Sequence, residues 1–287
     1  MQTDMNQLPE SCVSAILSFV SPAEACRLSL VSSTFLSAAE SDVVWARFLP
    51  SDQVDIVSGL VAPVKFSSKK ELFLWLCRRP LLVDGGRKSF KLERSSGTIS
   101  YIFSARELSI NRSDDPEHWI WETLPESRFK EVAELRTIDR IEIQGSIKTK
   151  ALSPNTLYGA HLIFKLSEHA FGLDLMPFET SIEMGNRVRP GTAHLQLPDQ
   201  KKRRLERLMY ANRLEMLRKH WEMGGDCRGG GVPSEREDRW MEVEVGEFFL
   251  MGGGEGYEEV RMSLKQVKGY QLKGGLVVEG IEVRPKS

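Results

Sequence analysis

Apolar residues near the start of the chain recur at helical spacing. Val13, Ile16, Leu17 and Val20 fall at i, i+3, i+4 and i+7, the stripe of an amphipathic helix that stops at Ser21. Ser21-Pro22-Ala23-Glu24 opens a second helix: the serine can cap, proline fits the first helical position, and the glutamate can return a bond to the cap backbone. Leu28 and Val31 continue it. Phe35, Ala38 and Ala39 predict a third short helix, and Ser41-Asp42 a further cap ahead of Val43, Val44 and Trp45.

Residues 51–67 have no clear period and contain Gly59 and Pro63, so they read as a connector with one short helix. Ser68-Lys69-Lys70-Glu71 is another capping box. It is followed by Leu72, Phe73, Trp75 and Leu76 and stopped before Pro80, which predicts a helix packed between two parts of the chain.

Beyond residue 81 the period changes to two. Tyr158, Ala160, Leu162, Phe164 and Leu166 share one face of an extended segment; Met241, Val243 and Val245 alternate with Trp240, Glu242 and Glu244. Val260, Met262 and Leu264 repeat the pattern, and 276–283 adds another strand. With 90–92, 98–103, 138–143 and 180–184, about eight strands favour an antiparallel sandwich over a parallel sheet with crossover helices. Residues 198–223 interrupt this with helix-forming composition followed by glycines, and read as a surface insertion. The expected class is multidomain α+β: an all-α module over 1–50, a helical connector over 51–87, and an antiparallel, jelly-roll-like β-sandwich over 88–287.

Three short helices bury little by themselves, and the set Leu8, Pro9, Ile16, Leu17, Leu28, Val31 and Phe35 is rich for so small an interior. Two readings stand: part of this set faces a partner, or all of it packs the module's own core.

Charge narrows the partners. Lys plus Arg number 39 against 40 for Asp plus Glu, a net charge of −1 that supplies no global field for nucleic acid or an anionic membrane. Cys12, Cys26, Cys77 and Cys227 share no CxxC spacing and read as reduced, partly buried thiols of an intracellular protein. No secretion signal or membrane-spanning run is legible, so the expected location is cytoplasmic, nuclear or both. Asn111-Arg112-Ser113 matches a glycosylation sequon, which the lack of such a signal makes a chance match. Lys201-Lys202-Arg203-Arg204 fits either a nuclear import signal or a solvated helix face.

Catalytic patterns are missing. His118, His161, His169, His194 and His220 show no metal-ligand spacing. Gly252-Gly253-Gly254-Glu255-Gly256 lacks the Lys-Ser/Thr ending of a phosphate loop and reads as a hairpin loop. No nucleophile motif occurs. The expectation is a non-catalytic protein without cofactor or metal.

Two resemblances sharpen this. Residues 8–50, with the opening Leu-Pro, the Ile16-Leu17 pair, Cys26-Arg27-Leu28-Ser29-Leu30-Val31-Ser32 and the closing Asp42-x-x-Trp45, resemble an F-box. That resemblance implies docking onto the Skp adaptor of a cullin-RING ubiquitin ligase, with Leu8, Pro9, Ile16, Leu17, Leu28 and Val31 forming or supporting the surface and Trp45 in the core or a hinge.

Residues 88–285 resemble the phloem protein 2 or Nictaba-like lectin family. The matching segments include Ser89 to Glu93, Ala105 to Ile110, Trp119-Ile120-Trp121, Pro125 to Phe129, Ile141 to Gly145, Gly246 to Phe249 and Gly280 to Pro285. The family implies a β-sandwich that binds N-acetylglucosamine-type glycans with two tryptophans and acidic residues. Carried over, Trp119 stands at the second tryptophan and Glu259 at the first carboxylate, while Arg112 and Gln266 replace the other tryptophan and carboxylate. Losing an aromatic platform removes a contact of order 1 kcal/mol, a large share of a weak sugar affinity. Trp121 reads as core, and Trp119 as either core or platform. The expected function is a ubiquitin-ligase subunit that recruits a protein or glycoprotein target; the alternative is a lectin or stress-related binding protein without a ligase role.

Overall fold

The computed structural model describes residues 8–61, 64–174, 176–195, 231–252, 259–266 and 271–286. Its N-terminal part contains helices α1 (Glu10–Leu17), α2 (Pro22–Leu28), α3 (Ser33–Glu40) and α4 (Asp42–Phe48); α5 (Gln53–Ser58) and α6 (Lys69–Leu76) follow.

Local chemistry sets their starts. Ser21 accepts from the Glu24 amide while the Glu24 carboxylate accepts from the Ser21 amide, a complete capping box with Pro22 at the first helical position. Ser41 caps α4 by accepting from Val43 N. Ser68 caps α6, but the Glu71 carboxylate returns to the amide and hydroxyl of Ser67 instead, so the box is displaced by one residue.

The helices enclose Val13, Leu17, Phe35, Val44 and Trp45, with the Trp45 indole N–H donating to Ala39 O at 2.6 Å. Phe73 of α6 packs 5.1 Å from the Trp45 ring centroid and 6.3 Å from that of Phe48, which joins the connector helix to this core.

The remainder is a sandwich of two antiparallel sheets. The larger contains β1 (Leu81–Val83), β2 (Lys88–Leu92), β3 (Ile99–Ser104), β5 (Trp119–Glu122), β6 (Val132–Leu135), β8 (Thr156–Phe171), β11 (Ser234–Glu235), β12 (Met241–Leu250) and β14 (Gly274–Pro285). Its order is β1-β2-β3-β14-β8-β12-β11, and β6 extends the β3 side of β14 while also pairing β5. The smaller sheet contains β4 (Ser109–Ile110), β7 (Ile141–Lys148), β9 (Phe178–Met184), β10 (Arg187–Ala193) and β13 (Glu259–Gln266), in the order β10-β9-β13-β7-β4. The α+β class and the antiparallel sandwich are as expected. Pairing starts at Leu81, ahead of the sequence boundary at residue 88.

The long central strand β8 departs from the one-sided alternation. Tyr158, Ala160, Leu162 and Phe164 face the core between the sheets, yet Ile163 is also buried, because the outer face is covered too. There Ile102, Phe129, Val132, Ile163, Trp240 and Val277 form a second apolar cluster. A β-bulge between Val278 and Gly280 disturbs the β14 ladder at Glu279, whose side chain is fully buried.

The helices and the sandwich share one apolar core. The turn between β2 and β3 reaches into the helical part: Gly97, at φ +74°, lies so close that an added Cβ would stand 3.3 Å from Phe48 O, 3.5 Å from Pro22 and 3.7 Å from Phe73. A left-handed backbone with one tight approach, to Phe48 O, favours glycine here. The insertion read over 198–223, the basic run Lys201–Arg204, Cys227 and His220 lie outside the described residues, as does most of the glycine-rich loop after Gly252.

Candidate docking and binding surfaces

The helical module leaves large apolar side chains in solvent. Phe19 is 82% exposed, Leu30 86%, Val31 62% and Val43 66%, with Ile16 and Leu36 near half. So many large exposed apolar side chains on one small module exceed the scattered surface leucines of an ordinary monomer and make it a candidate for interaction.

Of the residues read from sequence, Ile16, Val31 and Pro9 are exposed, and Leu8 and Leu28 are half-buried. Leu17 is completely enclosed, so of the two roles expected for it, forming the surface or supporting it, direct contact is ruled out and only support from behind is left. Phe35 is likewise core. The sequence reading missed Phe19 and Leu30, because each follows the end of its helix and falls off the helical stripe. Cys12 and Cys26 are exposed, where partial burial was expected.

The four expected sugar residues do not form one pocket. Trp119 is 1% exposed, with its indole N–H donating to Asn111 O at 3.1 Å, so its ring faces are unavailable to a pyranose. Arg112, beside it in the loop after β4, donates to His118 Nε2 at 2.7 Å, and His118 Nδ1 in turn donates to Thr137 O at 2.9 Å. Gln266 is 3% exposed and donates to Met176 O.

Glu259 sits at the opposite end of β13 from Gln266; at ~3.4 Å per residue the two are about 24 Å apart. Its carboxyl is lowered by a hydrogen bond from Ser146 and by Arg261, an ordinary solvated pairing. Of the two readings open for Trp119 the structure shows the core one, while Trp121 is half-buried against the same core, with the Arg106 guanidinium 3.6 Å from its ring centroid. Asn111 spends its side-chain amide on Arg140 O and Glu142 N, so the sequon asparagine is a structural bracket.

A different concavity, about 470 Å³, opens on the outer face of the larger sheet. Its floor is an ionic lattice. The Arg284 guanidinium donates to both Glu242 oxygens, at 2.6 and 2.7 Å, and to Glu282 at 2.8 Å; Arg236 donates to Glu242 at 2.5 Å and to Glu282 at 2.6 Å. Burial alone would raise the Glu242 carboxyl, but the hydrogen bonds and charges of Arg284 and Arg236 outweigh it and hold it at about 2. Arg128 closes one side through Asp238 at 2.8 Å. No sequence motif announces this site, because its groups come from strands distant in the chain. Among the described residues, no group of His, Cys, Asp and Glu side chains is placed to hold a metal ion.

Comparison with known proteins agrees with this architecture. Residues 98–285 match the phloem protein 2 family, and residues 5–51 match an F-box-like module. The chain therefore belongs to the phloem protein 2 family and carries an N-terminal F-box.

Similar proteins of the same length include the F-box protein PP2-B15 of Arabidopsis thaliana, 49% identical over 97% of this chain and 96% of that protein. The F-box protein VBF of the same plant is 48% identical over 99% and 100%, and the F-box protein PP2-B13 is 49% identical over 98% and 99%. Among solved structures, a xylan-binding domain from Paenibacillus barcinonensis overlays with a TM-score of 0.30 at 12% identity, over 63% of this chain and 87% of that one, too distant to bear on ligand or fold. F-box proteins are in general adaptor subunits, and an F-box joined to this sandwich has the general make-up of a substrate receptor of an SCF-type ubiquitin ligase.

Proposed function

We propose that the exposed apolar face of the helical module docks on the Skp adaptor of a cullin-RING ligase, and that the sandwich holds a protein target for ubiquitin transfer. The chain itself is non-catalytic in this reading. The observation that carries it is the exposure of Phe19, Leu30, Val31 and Val43 on the same small helical module. Burying such side chains contributes roughly 1.5–3 kcal/mol each, which drives a stable interface when several lie together.

A protein target is favoured over an N-acetylglucosamine-type glycan because Trp119 and Gln266 are buried and Glu259 lies at the far end of its strand. The test is co-purification of the full chain with the Skp adaptor, comparing the parent with a Phe19→Asp, Leu30→Asp double variant. Both positions are solvent-facing, so the variant keeps its thermal midpoint and loses the adaptor. Retention of the adaptor by the folded variant would refute this surface. An array of N-acetylglucosamine oligomers tests the glycan reading separately, with no binding expected.

A further inference from the structure

The receptor role leaves open where on the sandwich a target sits, and the charged cleft offers an answer that rests on that role. The floor ions neutralise one another: two arginines, Arg236 and Arg284, face two carboxylates, Glu242 and Glu282. What remains is at the rims. Lys91 stands on β2, near one edge of the sheet, and Glu235 and Glu237 stand on and just after β11, at the other edge. All three are exposed, and none has an ion pair among the described residues. The cleft is therefore positive at one end, negative at the other, and fixed and ionised between.

Its lining argues against a sugar and for a charged chain. Among the described residues no aromatic ring lines the cavity: Trp240 lies wholly buried beneath the face, with Lys165 over its ring, so the described lining offers no platform for the apolar side of a pyranose. The walls instead present side-chain donors and acceptors held rigid by their mutual hydrogen bonds, with Ser100 adding a hydroxyl. A cavity of this size takes a few residues of extended chain.

We infer that the cleft binds an extended peptide segment of the target that carries an acidic side chain against Lys91 and a basic one against Glu235 and Glu237. Complementary charge at the two ends fixes the direction in which the segment lies, and opposes segments of a single sign.

The experiment uses the purified full chain and an array of blocked Gly/Ser peptides holding one Glu and one Arg at varied spacing, in both orders. Controls carry one charge or none. Fluorescence anisotropy is expected to select peptides with both charges, with weaker binding as salt rises. Lys91→Glu should weaken the selected peptide about tenfold, as should Glu235→Lys with Glu237→Lys. Combining the three should restore binding for the opposite charge order.

The idea is overturned if peptides with both charges bind no better than neutral controls, if Lys91→Glu has no effect, or if an oligosaccharide occupies the cleft in place of peptide. Adaptor co-purification on the same preparations separates the two readings. Loss of peptide with the adaptor retained sinks only the cleft, and the reverse sinks only the docking face.

Discussion

Glu279 and Arg128 are joined twice. The buried Glu279 carboxylate accepts from the Arg128 backbone N–H at 2.9 Å and pairs with its guanidinium Nε at 3.4 Å, while Ser127 donates its hydroxyl at 3.0 Å. The segment that covers the outer apolar cluster is thereby tied to the bulge of β14. Glu279→Ala removes the acceptor of the Arg128 N–H and the Ser127 hydroxyl, and the counter-charge of a partly buried cation, where hydrogen bonds to a charged group contribute ~1.5–3 kcal/mol. The expected loss is about 2–3 kcal/mol in urea unfolding, and an unchanged midpoint would show that the tie carries no stability.

The two leucines of the helical module should behave oppositely. Leu17 is fully enclosed, so Leu17→Ala should cost roughly 2–5 kcal/mol. Leu30 is 86% exposed, so Leu30→Ala should stay within about 0.5 kcal/mol. Thermal melts of both variants check this, and it is the reason Leu17 is a poor position for probing a partner.

Acid should destabilise the sandwich in two stages. His161, buried on the outer face, has its pKa lowered by burial and then by Arg284, despite the opposing pull of Glu242, Glu244 and Glu282. The unfolded chain therefore binds a proton there that the folded chain resists, and stability falls as pH drops below about 6.5. Glu242 adds a second loss between the ordinary carboxylate value near 4.5 and its folded value of about 2. Urea midpoints against pH should fall in both windows, and His161→Gln should flatten the upper one. A profile that does not change in that variant would count against the assignment.

Gly97→Ala places a Cβ on a left-handed residue and presses it against Phe48 O. The expected cost is ~1–2 kcal/mol from the backbone alone. Differential scanning calorimetry should show it as a lower single transition; two resolved transitions in the parent protein would contradict the shared core.

Much of the fold was legible because it is locally coded. Ser21, Ser41 and Ser68 declare their helices through hydrogen bonds that span at most three residues. The eight strands read from alternation are all present. Those missed had no alternation to show: β6 spans only Val132–Leu135, and β10 carries Arg187, Arg189 and Pro190 at a sheet edge, where no face need be apolar.

The sites were less legible, for a physical reason. Whether Trp119 is core or platform depends on Asn111 and the strand beside it, and the cleft depends on Lys91, Arg236, Glu242 and Glu282 meeting across the sheet. Periodicity along one strand carries no information about such neighbours. Phe19 and Leu30 escaped for the opposite reason, since they belong to turns and have no period at all.

The β2–β3 turn seated against Pro22, Phe48 and Phe73 removes any hinge at that point. A guest held on the outer sheet face would keep a constant distance and bearing from whatever grips the greasy helical end. The choice of which lysines on the guest come within range would then be a matter of geometry built into the receptor, and softening that seat would blur the choice while leaving both grips intact.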